Sequence, residues 1–508
     1  MLIKIFSVAN YGIKTMSIDV EVNVANQGFP SFDIVGLPSK AVAESRDRVK
    51  TALINSGFSF PNKKITINLA PADMPKEGSY YDLPIAVGLM SYISDVAIPS
   101  KSLFYGEVSL DGGLRHTTGI LLAAIHAKEK GIQNIFIPSS CANEASIVKE
   151  MNVFPVDNLS QLFLHLNGQK HISPYKNEIS EESEDQFTNQ VDMADVLGQH
   201  KAKRALQIAI AGGHNVMMQG PPGAGKTLLA KAISSILPPL SYEESLDVTR
   251  IYSSAGHILP NRSLITQRQV RSPHHTISYA GMVGGGVIPK PGEISLAHRG
   301  VLFLDEIYEF SRYVLESLRQ PMEDGEVTIS RSFGSITFPT KFLLIAACNP
   351  CPCGYHNSNR PCTCTQFQIN RYKKRVSGPL MDRIDLFVEI NAVEKNYYLE
   401  NNKIASQQPK SEEIRKKIIK VREIQSKRFL NDKILINAEM KNSHMSKYCK
   451  LNESSNMILY KAVEKYNLSA RAYFKLIRVA RTIADMDESF EIKEEHIAEA
   501  IQFRNMEI

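Results

Sequence analysis

Apolar residues recur in two different patterns along this chain, and the patterns divide it into parts. In residues 1–167, strand-like stretches such as residues 65–69 alternate with helical stretches such as residues 121–130, which is typical of an α/β domain. Further along, Val301–Leu304 and Leu343–Cys348 are short, fully apolar runs of the kind that form buried strands. Because these strands alternate with helices, we predict a largely parallel sheet in the central part.

The C-terminal part has helical periodicity and no comparable strand pattern. Apolar residues recur at helical spacing in residues 411–429, 468–486 and 493–503. We therefore predict a helical domain over residues 392–508. Residues 168–190 are polar and partly acidic, which favours a linker, although a solvated loop within one domain has the same composition.

Length and composition agree with this division. At 508 residues, the chain is long enough for about three domains. It is 43% hydrophobic and 22% charged, which excludes a disordered or collagen-like protein. No apolar run approaches the roughly 18 residues of a membrane-spanning helix, and the N-terminus lacks a secretory pattern, so we expect a cytoplasmic protein without a membrane partner. The net charge of +6 permits nucleic-acid binding but does not establish it.

The strongest motif is a glycine-rich loop between a predicted strand at residues 215–219 and a predicted helix at Lys226–Ile236. It consists of Gly220, Pro221, Pro222, Gly223, Ala224, Gly225, Lys226 and Thr227. This is the G-x-x-x-x-G-K-[ST] pattern, whose backbone N–H groups and helix N-terminus surround phosphates. We expect Lys226 to reach the β- and γ-phosphates of ATP and the Thr227 hydroxyl to hold Mg²⁺.

A pair of carboxylates follows the predicted strand Val301–Leu304. Asp305 and Glu306 stand at its C-terminal end, where ligands of open α/β sheets bind. We expect Asp305 to support Mg²⁺ and Glu306 to orient the water that attacks ATP. An acidic pair after a strand is also typical of a solvated turn.

These motifs resemble those of AAA+ ATPases, and the resemblance continues beyond them. Asn349 matches the sensor-1 residue, Arg383 matches the arginine finger that acts on a neighbouring subunit, and Arg471 matches sensor 2, which contacts the γ-phosphate in cis. The resemblance implies a hexameric ring with active sites between subunits. Without it, either arginine is more typical of a surface ion pair.

Three segments narrow the resemblance. Residues 281–286 are glycine-rich and predict a flexible loop. Residues 291–305 form a distinctive sequence motif. Residues 325–338 predict a hairpin before sensor 1. This arrangement resembles the magnesium-chelatase-like branch of AAA+ proteins, and the whole chain resembles the ComM/YifB family. The central ATPase domain is then expected over residues 191–391.

The N-terminal domain resembles the Lon-type peptidase domain. That chemistry needs a serine activated by a lysine, but the matching positions are Tyr80 and Leu121, and Ser79 is displaced by one residue. We therefore expect residues 1–167 to be a degenerate, non-proteolytic domain. An ATP-dependent protease is accordingly disfavoured.

The ComM/YifB resemblance implies a helicase that drives branch migration of DNA, branched or single-stranded, during natural transformation or recombination. Basic residues at 371–375 and 415–428 are suited to phosphate contacts, although a solvated helix face looks the same. A magnesium-chelatase motor subunit is the alternative, and the D-x-S-x-S signature of its partner subunits is absent from this chain.

Five of the seven cysteines fall between Cys348 and Cys364. Cys351, Cys353, Cys362 and Cys364 form two C-x-C pairs. Four thiolates suit a structural, tetrahedral Zn²⁺ site, and four reduced cysteines on a loop are the alternative.

Overall fold

A computed structural model describes most of the chain. The described residues are 2–176, 191–258, 264–286, 289–331, 334–358, 360–391, 408–432, 434–466 and 468–504. Within these ranges, no helix is both long and apolar enough to cross a membrane.

The N-terminal part, residues 2–176, is an α/β unit. Its strands are β1 (Leu2–Tyr11), β2 (Lys14–Ala25), β3 (Ser31–Val35), β4 (Lys64–Ala70), β5 (Ser102–Phe104), β6 (Glu107–Val108), β7 (Leu114–Arg115), β8 (Asn134–Pro138) and β9 (Asn152–Val156). Its helices are α1 (Lys40–Ala43), α2 (Ser45–Asn55), α3 (Asp82–Ser94), α4 (Ile120–Glu129), α5 (Ala142–Ala145) and α6 (Leu159–Leu166). One sheet has the order β1-β2-β4-β3, and a second, parallel sheet has the order β5-β8-β9.

The first nine residues of the predicted linker lie against this unit. Ile172 is buried in its core, and the backbone N–H of Tyr175 donates to the carbonyl of Val153 over 2.7 Å. Residues 177–190, the rest of the predicted linker, lie outside the described residues.

The central part contains the predicted parallel sheet. Its strands are β10 (Val216–Gln219), β11 (Val270–Arg271), β12 (Gly284–Gly285), β13 (Lys290–Pro291), β14 (Val301–Leu304), β15 (Glu326–Arg331), β16 (Gly334–Pro339), β17 (Leu343–Cys348) and β18 (Leu386–Glu389). Its helices are α7 (His200–Gly212), α8 (Lys226–Ile236), α9 (Tyr242–Ala255), α10 (Tyr279–Val283), α11 (Glu293–Leu296), α12 (Arg312–Glu316), α13 (Arg319–Asp324), α14 (Gln366–Lys373) and α15 (Gly378–Met381).

The main sheet has the order β11-β14-β17-β10-β18, and all of its neighbours are parallel. All four residues of β14 and all six of β17 are buried, as expected for strands covered by helices on both faces. Because the strands are parallel, the residues that follow β10, β14 and β17 meet at one edge of the sheet. The predicted hairpin is confirmed as β15 and β16.

The flexible loop predicted at residues 281–286 is wrong. These residues form the last turn of α10 and strand β12, which pairs with β13. Gly284 has a φ of 108°, and a Cβ there would lie 2.4 Å from the carbonyl oxygen of Lys290. The glycine therefore permits close strand pairing rather than flexibility.

The described C-terminal part, residues 408–504, is helical as predicted. It contains α16 (Ser411–Arg428), α17 (Asn442–Tyr448), α18 (Glu453–Tyr466), α19 (Ala470–Met486) and α20 (Glu494–Gln502). Helices α16 and α19 pack on α7, beside the parallel sheet. Residues 392–407, which we assigned to the start of this domain, lie outside the described residues.

Candidate nucleotide site

The glycine-rich loop joins β10 to α8 at the carboxyl edge of the parallel sheet. A Cβ at Gly220 would lie 2.3 Å from the carbonyl oxygen of Ile390, so only glycine fits at the start of the loop. Gly223 and Gly225 have φ values of 77° and 91°, which favour glycine. The loop therefore has the tight curvature that directs backbone N–H groups toward an anion.

Lys226 lies at the mouth of this loop and is largely buried. Its Nζ donates to the carbonyls of Gly220 and Pro221 over 2.5 and 3.1 Å and to Oδ1 of Asn349 over 2.8 Å. Burial lowers the pKa of Lys226. The sequence-predicted sensor-1 asparagine is thus in direct contact with the phosphate-loop lysine.

The Thr227 hydroxyl donates to Oδ2 of Asp305 over 2.9 Å. This contact joins the first turn of α8, which follows β10, to the end of β14, which is two strands away from β10 in the sheet. A hydroxyl and a carboxylate oxygen in contact are ligands of the hard type that Mg²⁺ prefers. The pair therefore fits the magnesium site that the sequence predicts.

Glu306 follows Asp305 with an exposed side chain and a φ of 51°, which is uncommon for a residue other than glycine. Its backbone N–H donates to Oδ1 of Asp305 over 3.0 Å, which fixes the turn. Such backbone strain is often found at functional sites. At this edge the structure brings together Lys226, Thr227, Asp305 and Asn349 through hydrogen bonds, with Glu306 beside them.

Arg383 and Arg471 lie elsewhere. Both contact the carboxylate of Glu323: Arg383 through Nη2, and Arg471 with its Nη2 3.6 Å from Oε1. They line a cavity of about 1070 Å³ that also includes Asn215 and Asp385, the residues immediately before β10 and β18. The arginines are therefore at the amino edge of the sheet. The phosphate loop is at the other edge, and a strand of four residues, which is roughly 13 Å long, separates the two edges.

Arg471, which we expected to contact the γ-phosphate in cis, lies beside Arg383 at the opposite edge of the sheet from the phosphate loop. The reason is the docking of α19, whose Lys475 forms an ion pair with Asp385 over 3.1 Å. Residue Thr482 of the same helix contacts the buried His214 over 2.7 Å.

The four predicted zinc-ligating cysteines come together in one loop. Their sulfur atoms all lie within 4.8 Å of one another. The loop follows Asn349 directly, and Gly354 within it packs on Pro222 of the phosphate loop. The cysteine cluster is therefore a direct neighbour of the nucleotide site.

The N-terminal domain does not pair a serine with a lysine at the expected positions. Tyr80 is stacked on Tyr105 with ring centroids 4.5 Å apart, and Leu121 is buried. Ser79 donates to Glu107, while the buried Lys76 donates to backbone carbonyls. These contacts fit a structural role for the residues around the lost dyad.

Sequence reasoning missed two residues of the site region. Gln199 donates through Nε2 to the carbonyls of Ala224 and Asn391, over 3.2 and 2.7 Å, and so ties the start of α7 to the phosphate loop. Glu323 joins the two arginines. Neither residue belongs to a recognisable motif, and no local sequence signal distinguishes them from other polar surface residues.

Comparison with known proteins gives matches along almost the whole chain. The family model of magnesium chelatase subunit ChlI matches residues 192–398, a second ChlI model matches residues 20–141, and the model of the ChlI C-terminal region matches residues 408–504. The chain is 42% identical to competence protein ComM of Haemophilus influenzae over 99% of this chain and 97% of that protein. It is 40% identical to the protein YifB of Escherichia coli, over 98% and 96% of the two chains. A shorter match, 29% identical over 155 residues, links 28% of the chain to 27% of Lon protease 2 of Bacillus subtilis.

Proposed function

The chain belongs to the ComM/YifB family of magnesium-chelatase-like AAA+ ATPases, and we propose that it hydrolyses ATP as a ring and uses the energy to remodel DNA. The observation that carries the ATPase proposal is the set of contacts at the carboxyl edge of the sheet. Lys226 meets Asn349 there, and Thr227 meets Asp305. These two contacts place the proposed phosphate loop beside the proposed sensor residue and the proposed magnesium ligands.

The chemistry follows from these side chains. The loop N–H groups and the N-terminus of α8 bind the phosphates, and the Lys226 ammonium exchanges loop carbonyls for phosphate oxygens. Thr227 and Asp305 would hold Mg²⁺, which would neutralise charge on the phosphates. Glu306 accepts a proton from the attacking water, and Asn349 orients the γ-phosphate or that water.

The two arginines complete the site of a neighbouring subunit. Arg383 and Arg471 are both at the amino edge, too far from their own phosphate loop to act on it without a large rearrangement. Their shared carboxylate, Glu323, holds them on one surface, where 64% of the Arg471 side chain but only 14% of the Arg383 side chain is exposed. A ring in which this surface faces the next subunit's phosphate loop makes both arginines act in trans, as a finger and a second phosphate contact.

Charge and exposure support the DNA proposal. Residues 349–381 contain no aspartate or glutamate but five basic residues: Arg360, Arg371, Lys373, Lys374 and Arg375. Within the same segment, Phe367 is 74% exposed at the start of α14. Basic side chains near an exposed aromatic ring suit the phosphates and bases of single-stranded DNA. One relative with 42% identity is named a competence protein, which is consistent with the DNA proposal.

The second predicted basic segment supports the proposal less. On α16, Arg422 donates to the carbonyl of Ile210, and Arg428 pairs with the buried Asp485. Arg422 therefore joins the helical domain to α7 of the central part, and Arg428 joins α16 to α19 within the helical domain. We therefore assign DNA contact to α14 and the loop before it, with branch migration during transformation or recombination as the proposed reaction.

The test is steady-state ATP hydrolysis by the purified full chain, alone and with forked, single-stranded or duplex DNA. We expect the rate of hydrolysis per subunit to increase with protein concentration as rings form. Forked or single-stranded DNA should increase this rate further. Hydrolysis that no form of DNA changes would leave the ATPase proposal standing and remove the DNA proposal. No hydrolysis under assembling conditions would remove both.

A further inference from the structure

We propose that Cys351, Cys353, Cys362 and Cys364 bind one Zn²⁺, and that this zinc site holds the phosphate loop and Asn349 in their working positions. The second half of the inference rests on the proposed ATP site. Zinc binding itself does not depend on it, and the two halves are tested separately below.

The sulfur positions fit a single tetrahedral ion. The Sγ atoms of Cys351, Cys353 and Cys362 are 3.3 to 3.7 Å apart. A Zn–S bond of ~2.3 Å in a tetrahedron places sulfurs about 3.8 Å apart, so small shifts suffice to bind the ion. All four cysteines are free thiols, separated by far more than the ~2.05 Å of a disulfide bond.

Backbone donors around the sulfurs favour bound thiolates. The N–H of His356 donates to Sγ of Cys351 over 3.3 Å, and the N–H of Cys353 donates to Sγ of Cys364 over 3.4 Å. Hydrogen bonds of this kind surround thiolate ligands in metal sites and balance their negative charge. Because the four sulfurs are so close and leave no open position, we infer a closed structural site for one zinc ion rather than a catalytic metal or an iron–sulfur cluster.

The first part of the loop, residues 351–354, is attached to the candidate nucleotide site at two points. Cys351 is two residues after Asn349, which accepts the hydrogen bond of Lys226. A Cβ at Gly354 would lie 2.6 Å from Cδ of Pro222, so the loop rests directly on the phosphate loop. A zinc ion that fixes the cysteine loop therefore also limits the movement of Asn349 and of residues 220–225.

The other end of the loop leads into the proposed DNA surface. Cys364 immediately precedes Thr365, whose hydroxyl accepts from the N–H of Gln368 and so caps α14. Phe367 and Arg371 are on that helix. The zinc site thus lies between sensor 1 and the basic helix, and links the two through one short, cross-linked segment.

The first experiment measures zinc in the full chain, purified without added metal or chelator, by elemental analysis and by release to a chromogenic chelator. We expect one zinc per chain in the wild-type protein and in Cys449→Ser, which removes a buried cysteine outside the cluster. Cys351→Ser and Cys362→Ser should lose most of the zinc. Wild-type protein with no zinc and four freely reactive thiols would overturn the assignment, and stoichiometric iron would overturn the choice of metal.

The second experiment separates metal binding from positioning. Gly354→Ala leaves all four ligands in place but puts a methyl group against Pro222, and it also strains the turn after Cys353 because Gly354 has a φ of 84°. We expect this variant to keep its zinc and its unfolding temperature within a few degrees of wild type, while its KM for ATP rises several-fold. Retained zinc with an unchanged KM and kcat would refute the positioning role and leave the zinc site intact, whatever the fate of the DNA proposal.

Discussion

Lys226 donates a hydrogen bond to Oδ1 of Asn349 over 2.8 Å, although 123 positions separate the two residues in the chain. The contact exists because β10 and β17 are parallel neighbours, so the residues that follow them meet at one edge. It places Lys226, which we propose binds phosphate, next to Asn349, the proposed sensor-1 residue. Substitution of Asn349 is therefore a direct test of the proposed site.

Asn349→Ala should lower kcat more than it raises KM. A hydrogen bond involving a charged group is worth about 1.5–3 kcal/mol, which corresponds to roughly 10- to 100-fold in rate if the bond serves the transition state. Steady-state kinetics measure the separate changes in kcat and KM, with Asn370→Ala on the exposed face of α14 as the control. Equal kcat values for the Asn349→Ala variant and wild type would remove Asn349 from the mechanism.

Glu306→Gln should bind ATP with near-normal affinity and lose about 10²- to 10⁴-fold in hydrolysis, because the amide cannot accept the proton of the attacking water. Fluorescent-nucleotide binding and single-turnover hydrolysis measure the two effects. The neighbouring Glu309→Gln, which removes the exposed partner of Arg375, is the matched control. Normal turnover in Glu306→Gln would mean that another group activates the water.

Arg383→Ala and Arg471→Ala should each bind ATP but hydrolyse it slowly, with losses of up to about 10³- to 10⁵-fold for the finger. If both act in trans, mixing Arg383→Ala with Lys226→Ala should restore part of the activity, because some interfaces then combine an intact loop with an intact arginine. The same holds for Arg471→Ala mixed with Lys226→Ala. No recovery in the Arg471 mixture, with recovery in the Arg383 mixture, would return Arg471 to a role within its own subunit.

Acid should loosen the junction between the ATPase domain and the helical domain. Burial lowers the pKa of His214 to about 4, below its ordinary value of 6.5, so the unfolded chain takes up a proton before the folded one does. Stability is therefore lost as the pH falls from about 6.5 to 4, by up to about 3 kcal/mol from this one group. Denaturant unfolding of His214→Asn should depend less on pH across that window than wild type or the exposed-site control His200→Asn. Identical pH profiles for all three proteins would contradict the assignment.

Charge reversal on α14 should weaken DNA binding. Arg371→Glu combined with Lys374→Glu removes two exposed cations, so the affinity for DNA should fall. The slope of the logarithm of the binding constant against the logarithm of the salt concentration should become shallower by roughly two, because about two fewer counterions are released. Fluorescence anisotropy over a salt series measures both. Lys417→Glu combined with Lys420→Glu on α16 makes the same charge change on another exposed face. Equal losses in the two pairs would indicate a general effect of charge rather than a contact surface.

Much of the fold and the nucleotide site was predictable because both depend on local patterns. Short apolar runs identified β14 and β17, and the glycine-rich loop fixed the start of α8. The place of Arg471 was not predictable, since it depends on how α19 docks through Lys475 and Asp385, residues that are far apart in sequence. The ordered strand at Gly284 was missed for a similar reason, because glycine marks close packing and flexibility equally well until the partner strand is known.

The most direct test of the central claim is strand displacement from three-stranded or forked DNA by the wild-type chain, with and without ATP, beside Glu306→Gln. We predict displacement by wild type only when ATP is present, inhibited by salt, and none by Glu306→Gln even though that variant binds the same DNA. Wild-type protein that hydrolyses ATP and binds DNA but displaces no strand from any branched substrate would contradict the account.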